Sequence, residues 1–279
     1  MLIKEASLVN YFIEKPLRGF ICGSSQSGKT YFLRQILENQ NDIFGSAFSS
    51  ISYHFPIYLD EPPFDPSKKI QSPIKFAQGL PSKQDVLSMP RDSLIVLDDL
   101  GEEMMKSELI SSCYKVISGK KKISIISISQ NFFIKGVFSR EIRNSCNAYF
   151  LFRNSSDHSI NLRACSALGV KKAFQTAEKD VFQRELYPYV YISATHRSQI
   201  SAFRLYTKIF DKFRICYSNC GMKGYVIQET EFLQKFNILS ENISSVTYNE
   251  NTEKKLRKSR KRPKEIKSSS DESGEDLLG

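Results

Sequence analysis

Gly23-Ser24-Ser25-Gln26-Ser27-Gly28-Lys29-Thr30 is the stretch from which the rest of the chain can be read. It matches G-x-x-x-x-G-K-[ST], the spacing of a phosphate-binding loop, the Walker A pattern. A triphosphate carries negative charge on closely spaced oxygens. A loop that wraps it turns backbone N–H groups inward and keeps bulky side chains away. Gly23 supplies the tight turn and Gly28 the close approach, because neither carries a Cβ. Lys29 brings a point charge to the β- and γ-phosphates. The Thr30 hydroxyl offers Mg2+ an oxygen ligand. The eight residues Gly23, Ser24, Ser25, Gln26, Ser27, Gly28, Lys29 and Thr30 are therefore candidate nucleotide contacts, with ATP and Mg2+ as the expected cofactors. The flanks fit this reading. Gly19-Phe20-Ile21-Cys22 predicts a short buried strand. Residues 31–39 predict a helix with Phe32, Leu33, Ile36 and Leu37 on one face. The helix N-terminus then lies at the phosphates, where its dipole favours anions.

Leu94-Ile95-Val96-Leu97-Asp98-Asp99 is the second chemical landmark. Four consecutive apolar residues predict a strand buried on both faces, as in a parallel sheet. Two carboxylates follow at its C-terminal end, where open α/β sheets bind ligands. In this Walker B-like pattern Asp98 is the Mg2+ ligand, and Asp99 orients or deprotonates the attacking water. A third apolar run, Ile123-Ser124-Ile125-Ile126-Ser127-Ile128-Ser129, ends in Gln130-Asn131. If its strand lies between the other two, Gln130 reaches the γ-phosphate as a sensor with a neutral amide. An arginine near the sheet edge can serve a neighbouring subunit as a finger. Arg140, Arg143 and Arg153 are the candidates, and Arg140 is favoured.

Composition sets the class. The 279 residues are 41% hydrophobic and 25% charged, ordinary for a globular chain able to bury a large core. No apolar run approaches the roughly 20 residues that span a bilayer. The opening residues lack a signal-peptide pattern, so an intracellular, soluble protein with no membrane association is expected. Cys216 and Cys220 have metal-ligand spacing but no second Cys/His pair beside them, so reduced thiols are the default reading. The formal charge is +10, and residues 254–267 hold nine Lys or Arg against one Glu. The body without this tail is still basic, which suits an anionic polymer as partner. The tail itself reads either as a nuclear-import signal or as a loose DNA contact.

The rest of the chain is patterned more weakly. Residues 46–55 predict a strand. Residues 56–90 read mostly as loop, with a short helix near 83–89. Residues 102–118 predict one helix, and residues 139–146 a short one. Residues 148–152 predict a strand. Two helices hinged at Gly169 and a late hairpin (187–192 with 203–207) follow. Residues 211–250 give weak signals, and the polar stretch from Asn249 reads as disordered. The expected organisation is an ATPase domain over 1–210 with its core motifs in 18–154, an extension over 211–248, and a charged tail over 249–279. The expected fold is α/β, a P-loop NTPase with a central, mostly parallel sheet flanked by helices. A small β-rich C-terminal extension and a disordered basic tail complete it.

Taken in order, several stretches resemble one family. They are the phosphate loop, Leu94–Asp99 and Ile128-Ser129-Gln130-Asn131-Phe132-Phe133. With them go Arg140-Glu141-Ile142-Arg143-Asn144-Ser145-Cys146-Asn147, Phe152-Arg153-Asn154, and Tyr189–Ile192 running on to Arg204–Phe210. Together they resemble the poxvirus-type genome-packaging ATPases of the FtsK/HerA division, above all those of Polinton/Maverick elements and related adenovirus-like double-stranded DNA viruses. The resemblance covers residues 15–210. It implies a ring motor (pentamer or hexamer) that uses ATP hydrolysis to translocate double-stranded DNA into a capsid or procapsid through its portal vertex, with an arginine supplied in trans. It also implies a site of action in the host nucleus or at the viral assembly site. Two departures stand out. The family often has Gly or Pro where this chain has Ser24-Ser25-Gln26-Ser27. Its second acid is often Glu, whereas here it is the shorter Asp99, which leaves Glu102 and Glu103 as alternative water-activating groups. A P-loop ATPase serving replication or transcription, as helicase or loader, is the competing function, and a nucleotide-gated binding protein with little turnover is a third.

Overall fold

The computed structural model describes residues 12–65, 69–154, 158–182, 185–194, 203–211, 213–221 and 223–227. All of them belong to one compact unit, Met1–Phe232. The second unit, Leu233–Gly279, and with it the basic tail, lies outside the described residues.

The chain opens with β1 (Arg18–Cys22), α1 (Lys29–Glu38), α2 (Gln40–Phe44) and β2 (Ile51–Phe55). Next come β3 (Ile74–Gln78), α3 (Lys83–Ser88), β4 (Leu94–Asp98), α4 (Gly101–Lys106) and α5 (Glu108–Ser112). A π-helical turn (Cys113–Ile117) leads into α6 (Ser118–Lys121) and β5 (Ser124–Ser129). Then follow α7 (Ser139–Ser145), β6 (Ala148–Phe152), α8 (His158–Ala167) and α9 (Lys171–Val181). Strands β7 (Tyr189–Ser193), β8 (Phe203–Thr207), β9 (Phe213–Ser218) and β10 (Lys223–Ile227) complete the described chain.

The strands form one 10-stranded sheet in the order β10-β9-β8-β7-β6-β1-β5-β4-β2-β3. From β6 across to β3 every pairing is parallel, and from β6 across to β10 every pairing is antiparallel. This is the α/β architecture expected from the sequence, a mostly parallel sheet between two layers of helices. No helix among the described residues is long and apolar enough to cross a membrane.

The period of two along each strand divides the core in two. Phe20, Ile95, Leu97, Ile125 and Leu151 point to the face covered by α4, α5 and α7 to α9. Ile21, Val96, Ile126, Ile128 and Phe150 point to the face covered by α1 and α2. Two local features tie the layers to the sheet. Tyr114, in the π-helical turn, donates its hydroxyl to Gly19 O (3.2 Å) and Ser127 Oγ (2.9 Å). Phe32 of α1 sits among Phe150, Phe152, Tyr189 and Phe210, with ring centroids 4.5–5.3 Å away.

Sequence periodicity and structure differ in three places. The helix expected over residues 102–118 is broken at Ser107, whose side chain accepts from Ile110 N–H and caps a new helix. Its apolar periodicity survives because Met105, Ile110 and Cys113 share one core. The stretch read as loop contains the parallel edge strand β3, and β9 and β10 continue the sheet within the weakly patterned stretch.

Phe32, together with the buried Leu33, Ile36 and Leu37, holds α1, and so the loop before it, against the sheet. Phe32→Ala should lower unfolding free energy by about 3–5 kcal/mol, read from urea melts. A loss below about 1 kcal/mol would mean that the ring cluster does not anchor the helix.

Candidate functional site

Strands β1, β5 and β4 run parallel in matched register: Cys22 pairs with Ser129, and Asp98 with Ile128. Their C-terminal ends therefore lie side by side on one edge. The phosphate loop leaves β1 there, Asp98-Asp99 leaves β4, and Gln130 leaves β5. The strand order expected from sequence, with the Gln130 strand between the loop strand and the acid strand, is present.

The loop is drawn tightly onto this edge. Gly23 N–H donates to Ser129 O at 3.3 Å. A Cβ on Gly23 would lie 2.5 Å from Phe152 Cβ and 2.8 Å from Ser27 Oγ, so only glycine fits. Gly28 has φ +94°, and Gln26 adopts the left-handed region at φ 59°. Lys29 starts α1, so its N–H and that of Thr30 lack the helical acceptors found one turn later. Among the described residues, no acceptor takes the N–H groups of Gln26, Gly28, Lys29 or Thr30. Ser27 Oγ is buried with no protein partner there. Unsatisfied donors at a helix N-terminus, with an orphaned hydroxyl beside them, are the features of an anion cradle.

Charge is concentrated in the same place. Lys29 Nζ donates to Gly23 O at 2.8 Å and to Ser24 O at 2.6 Å. Burial lowers its pKa, while Cys22, Asp98 and Asp99 act on it in the opposite sense. The loop lysine and both acids thus lie within electrostatic reach of one another. Asp98 follows Leu94 and Val96 at the period of two, which turns its side chain to the face where α1 begins. It is 8% exposed. Burial raises its pKa, and a hydrogen bond from Tyr53 works against that rise. The Tyr53 hydroxyl donates to Asp98 Oδ2 at 2.5 Å from the neighbouring strand β2.

Asp99 differs from Asp98 in burial and backbone conformation. It is exposed, in the left-handed region at φ 53°, and its N–H donates to Ile128 O at 3.1 Å. Tyr58 OH donates to its Oδ2 at 3.4 Å. Glu102 and Glu103 lie in the first turn of α4, and Glu102 is paired with Lys106 at 3.8 Å. Gln130 is exposed, and its backbone carbonyl accepts from Cys22 Sγ at 3.7 Å, beside the root of the loop. Arg140 is exposed on α7. Among the described residues, no hydrogen bond or ion pair joins it to the loop or to the two acids. Arg153 is also exposed, one residue past β6, and its carbonyl accepts from Ser24 Oγ at 3.3 Å. Tyr53 was not among the residues singled out from sequence. The alternation Ile51, Tyr53, Phe55 marks it as core, and only the β2–β4 register reveals that its hydroxyl reaches Asp98.

The chain matches no protein-family model. No curated protein matches it by sequence. Among solved structures it is similar to the DNA-packaging ATPase B204 from Sulfolobus Turreted Icosahedral Virus, at 11% identity and a TM-score of 0.44. That likeness covers 76% of this chain and 98% of that one. It is also similar to the genome packaging NTPase B204 from Sulfolobus turreted icosahedral virus 2 in complex with AMP, at 10% identity and a TM-score of 0.43 over 66% of this chain and 98% of that one. The Legionella pneumophila ATPase DotB is similar at 14% identity and a TM-score of 0.30, over 50% of this chain and 41% of that one. Likenesses at these values say nothing about what this chain binds.

The raised pKa of Asp98 makes a stability prediction with a definite sign. Folding favours its protonated form, so its contribution to stability falls as pH rises from the ordinary carboxylate value through the raised one. Asp98→Asn removes that loss. The variant should melt above the wild type at about pH 7.5, with the gain shrinking as pH falls toward about 4. A gain that does not change with pH would contradict this reading.

Proposed function

We propose that this chain is an ATPase of the genome-packaging type. The observation that carries the ATPase reading is the convergence on one sheet edge of a phosphate loop, a buried and an exposed carboxylate, and the end of the strand between them. The donor set fits Mg2+. A carboxylate at Asp98 and a hydroxyl at Thr30 are both hard oxygen ligands. When bound, Mg2+ neutralises charge on the β- and γ-phosphates.

Each residue then has one task. The loop N–H groups and Ser27 Oγ take phosphate oxygens. Lys29 trades the carbonyls of Gly23 and Ser24 for the β- and γ-phosphates. Asp98, fixed by Tyr53, holds the metal. Asp99 is exposed, so its carboxylate can accept a proton from water and release it to solvent. Gln130 hydrogen-bonds the water or the γ-phosphate through its amide. Arg140, exposed and tied to none of these groups, acts on the site of a neighbouring subunit in a homo-oligomeric ring.

The proposed partner is double-stranded DNA, moved toward a capsid portal. Support comes from the +10 formal charge and from the resemblance carried by the Gln-Asn, Arg…Asn and Phe-Arg-Asn segments. Contacts to phosphates position without specifying sequence, so movement is sequence-independent and salt-sensitive.

Lys29→Ala and Asp99→Asn should each lower DNA-stimulated ATP hydrolysis by about 10²–10⁴-fold, measured as phosphate release. Full turnover in the Asp99 variant would move the water-activating role to Glu102 or Glu103. Unwinding of a forked duplex by the wild type would favour a replicative role over packaging.

A further inference from the structure

We propose that Tyr187 and Tyr31 form the shelf on which the base of the bound nucleotide stacks. This inference rests on the nucleotide reading of the loop and adds to it a recognition element for the base.

The loop dictates where a nucleoside must leave. With Lys29 on the β- and γ-phosphates at the start of α1, the nucleoside of a bound nucleotide would lie beside the first helical turn. Tyr31 stands in that turn and is 58% exposed. Gln35 Nε2 donates to its hydroxyl at 3.0 Å, from one turn further along the helix. Tyr187 arrives from a distant part of the chain, the connection between α9 and β7. Its ring is so close to the loop that a Cβ on Gly28 would lie 2.8 Å from both Cγ and Cδ1. The two rings are 6.2 Å apart between centroids, with planes inclined by 40°.

Tyr187 is 45% exposed, whereas Tyr189 and Tyr191, immediately beyond it, are buried in the core beneath α1. The core therefore does not need the Tyr187 ring. Two partly exposed aromatic rings flank the mouth of a phosphate cradle, and every nucleobase has a flat π-face to offer them. Stacking of this kind is insensitive to base identity and is worth a clear loss of affinity when the ring is removed. Gly28 then has two reasons to lack a side chain: the left-handed backbone of the loop and the ring of Tyr187.

The test compares ATP with inorganic tripolyphosphate, which has the charges but no base, by calorimetry on the full chain with Mg2+. Tyr187→Ala should weaken ATP binding about tenfold and leave tripolyphosphate binding unchanged, and Tyr187→Phe should restore ATP affinity. Unchanged ATP affinity in Tyr187→Ala overturns the shelf while leaving the loop assignment intact. Equal losses for ATP and tripolyphosphate overturn it too, because Tyr187 would then only shape the loop. A wild-type chain that binds neither ligand overturns the nucleotide reading itself.

Discussion

The parallel register of β1, β5 and β4 is the constraint on which the site depends. A shift of one residue in any of the three would turn its side chains to the other face. Asp98 would then point away from α1, and the loop would lose its carboxylate. The register is held from both sides. On one face, Tyr114 joins β1 to β5 through Gly19 and Ser127. On the other, Ile21, Val96, Ile126 and Ile128 pack beneath α1. On the same face as this second core, Tyr53 joins β2 to the end of β4 through Asp98.

The edge that this register creates is costly for the fold. It holds a buried carboxylate whose ionised form is disfavoured, a lysine whose charge is partly desolvated, and left-handed backbone at Gln26 and Asp99. Features of this kind persist where surrounding packing over-determines them, and they cluster at functional sites. Here the packing is the paired core on either face of the sheet. The nearby thiol is inert by contrast: burial pushes Cys22 up to about 12, so it acts as core and not as a nucleophile.

Much of this was legible in the sequence because the signals are local. Spacing identifies the loop, and an apolar run ending in Asp98-Asp99 identifies a central strand. The period of 3.6 in Phe32, Leu33, Ile36 and Leu37 names the buried face of α1. Other features depend on distant neighbours. Strand β3 has only half-buried and exposed positions on a sheet edge, inside a Pro-rich stretch that otherwise reads as loop. Strands β9 and β10 are defined by antiparallel pairing more than by their own hydrophobicity, and β9 buries Arg214. The break at Ser107 hides behind an apolar face that continues on both sides of it. Tyr53 and Tyr187 are similar cases. One reads as core and the other as the start of a hairpin strand, until strand pairing and chain return set them beside Asp98 and Gly28. An arginine that worked between subunits, as proposed for Arg140, would for the same reason not be marked by a contact within its own chain.

The central claim is that one nucleotide engages three separate strand ends at once. Amide hydrogen exchange with and without a non-hydrolysable ATP analogue and Mg2+ tests it most directly. The account predicts slowed exchange at the loop amides of residues 23–30, together with residues 98–99 and 129–131, three segments remote in sequence. Protection of the loop alone, or of none of these segments at saturating nucleotide, would contradict it.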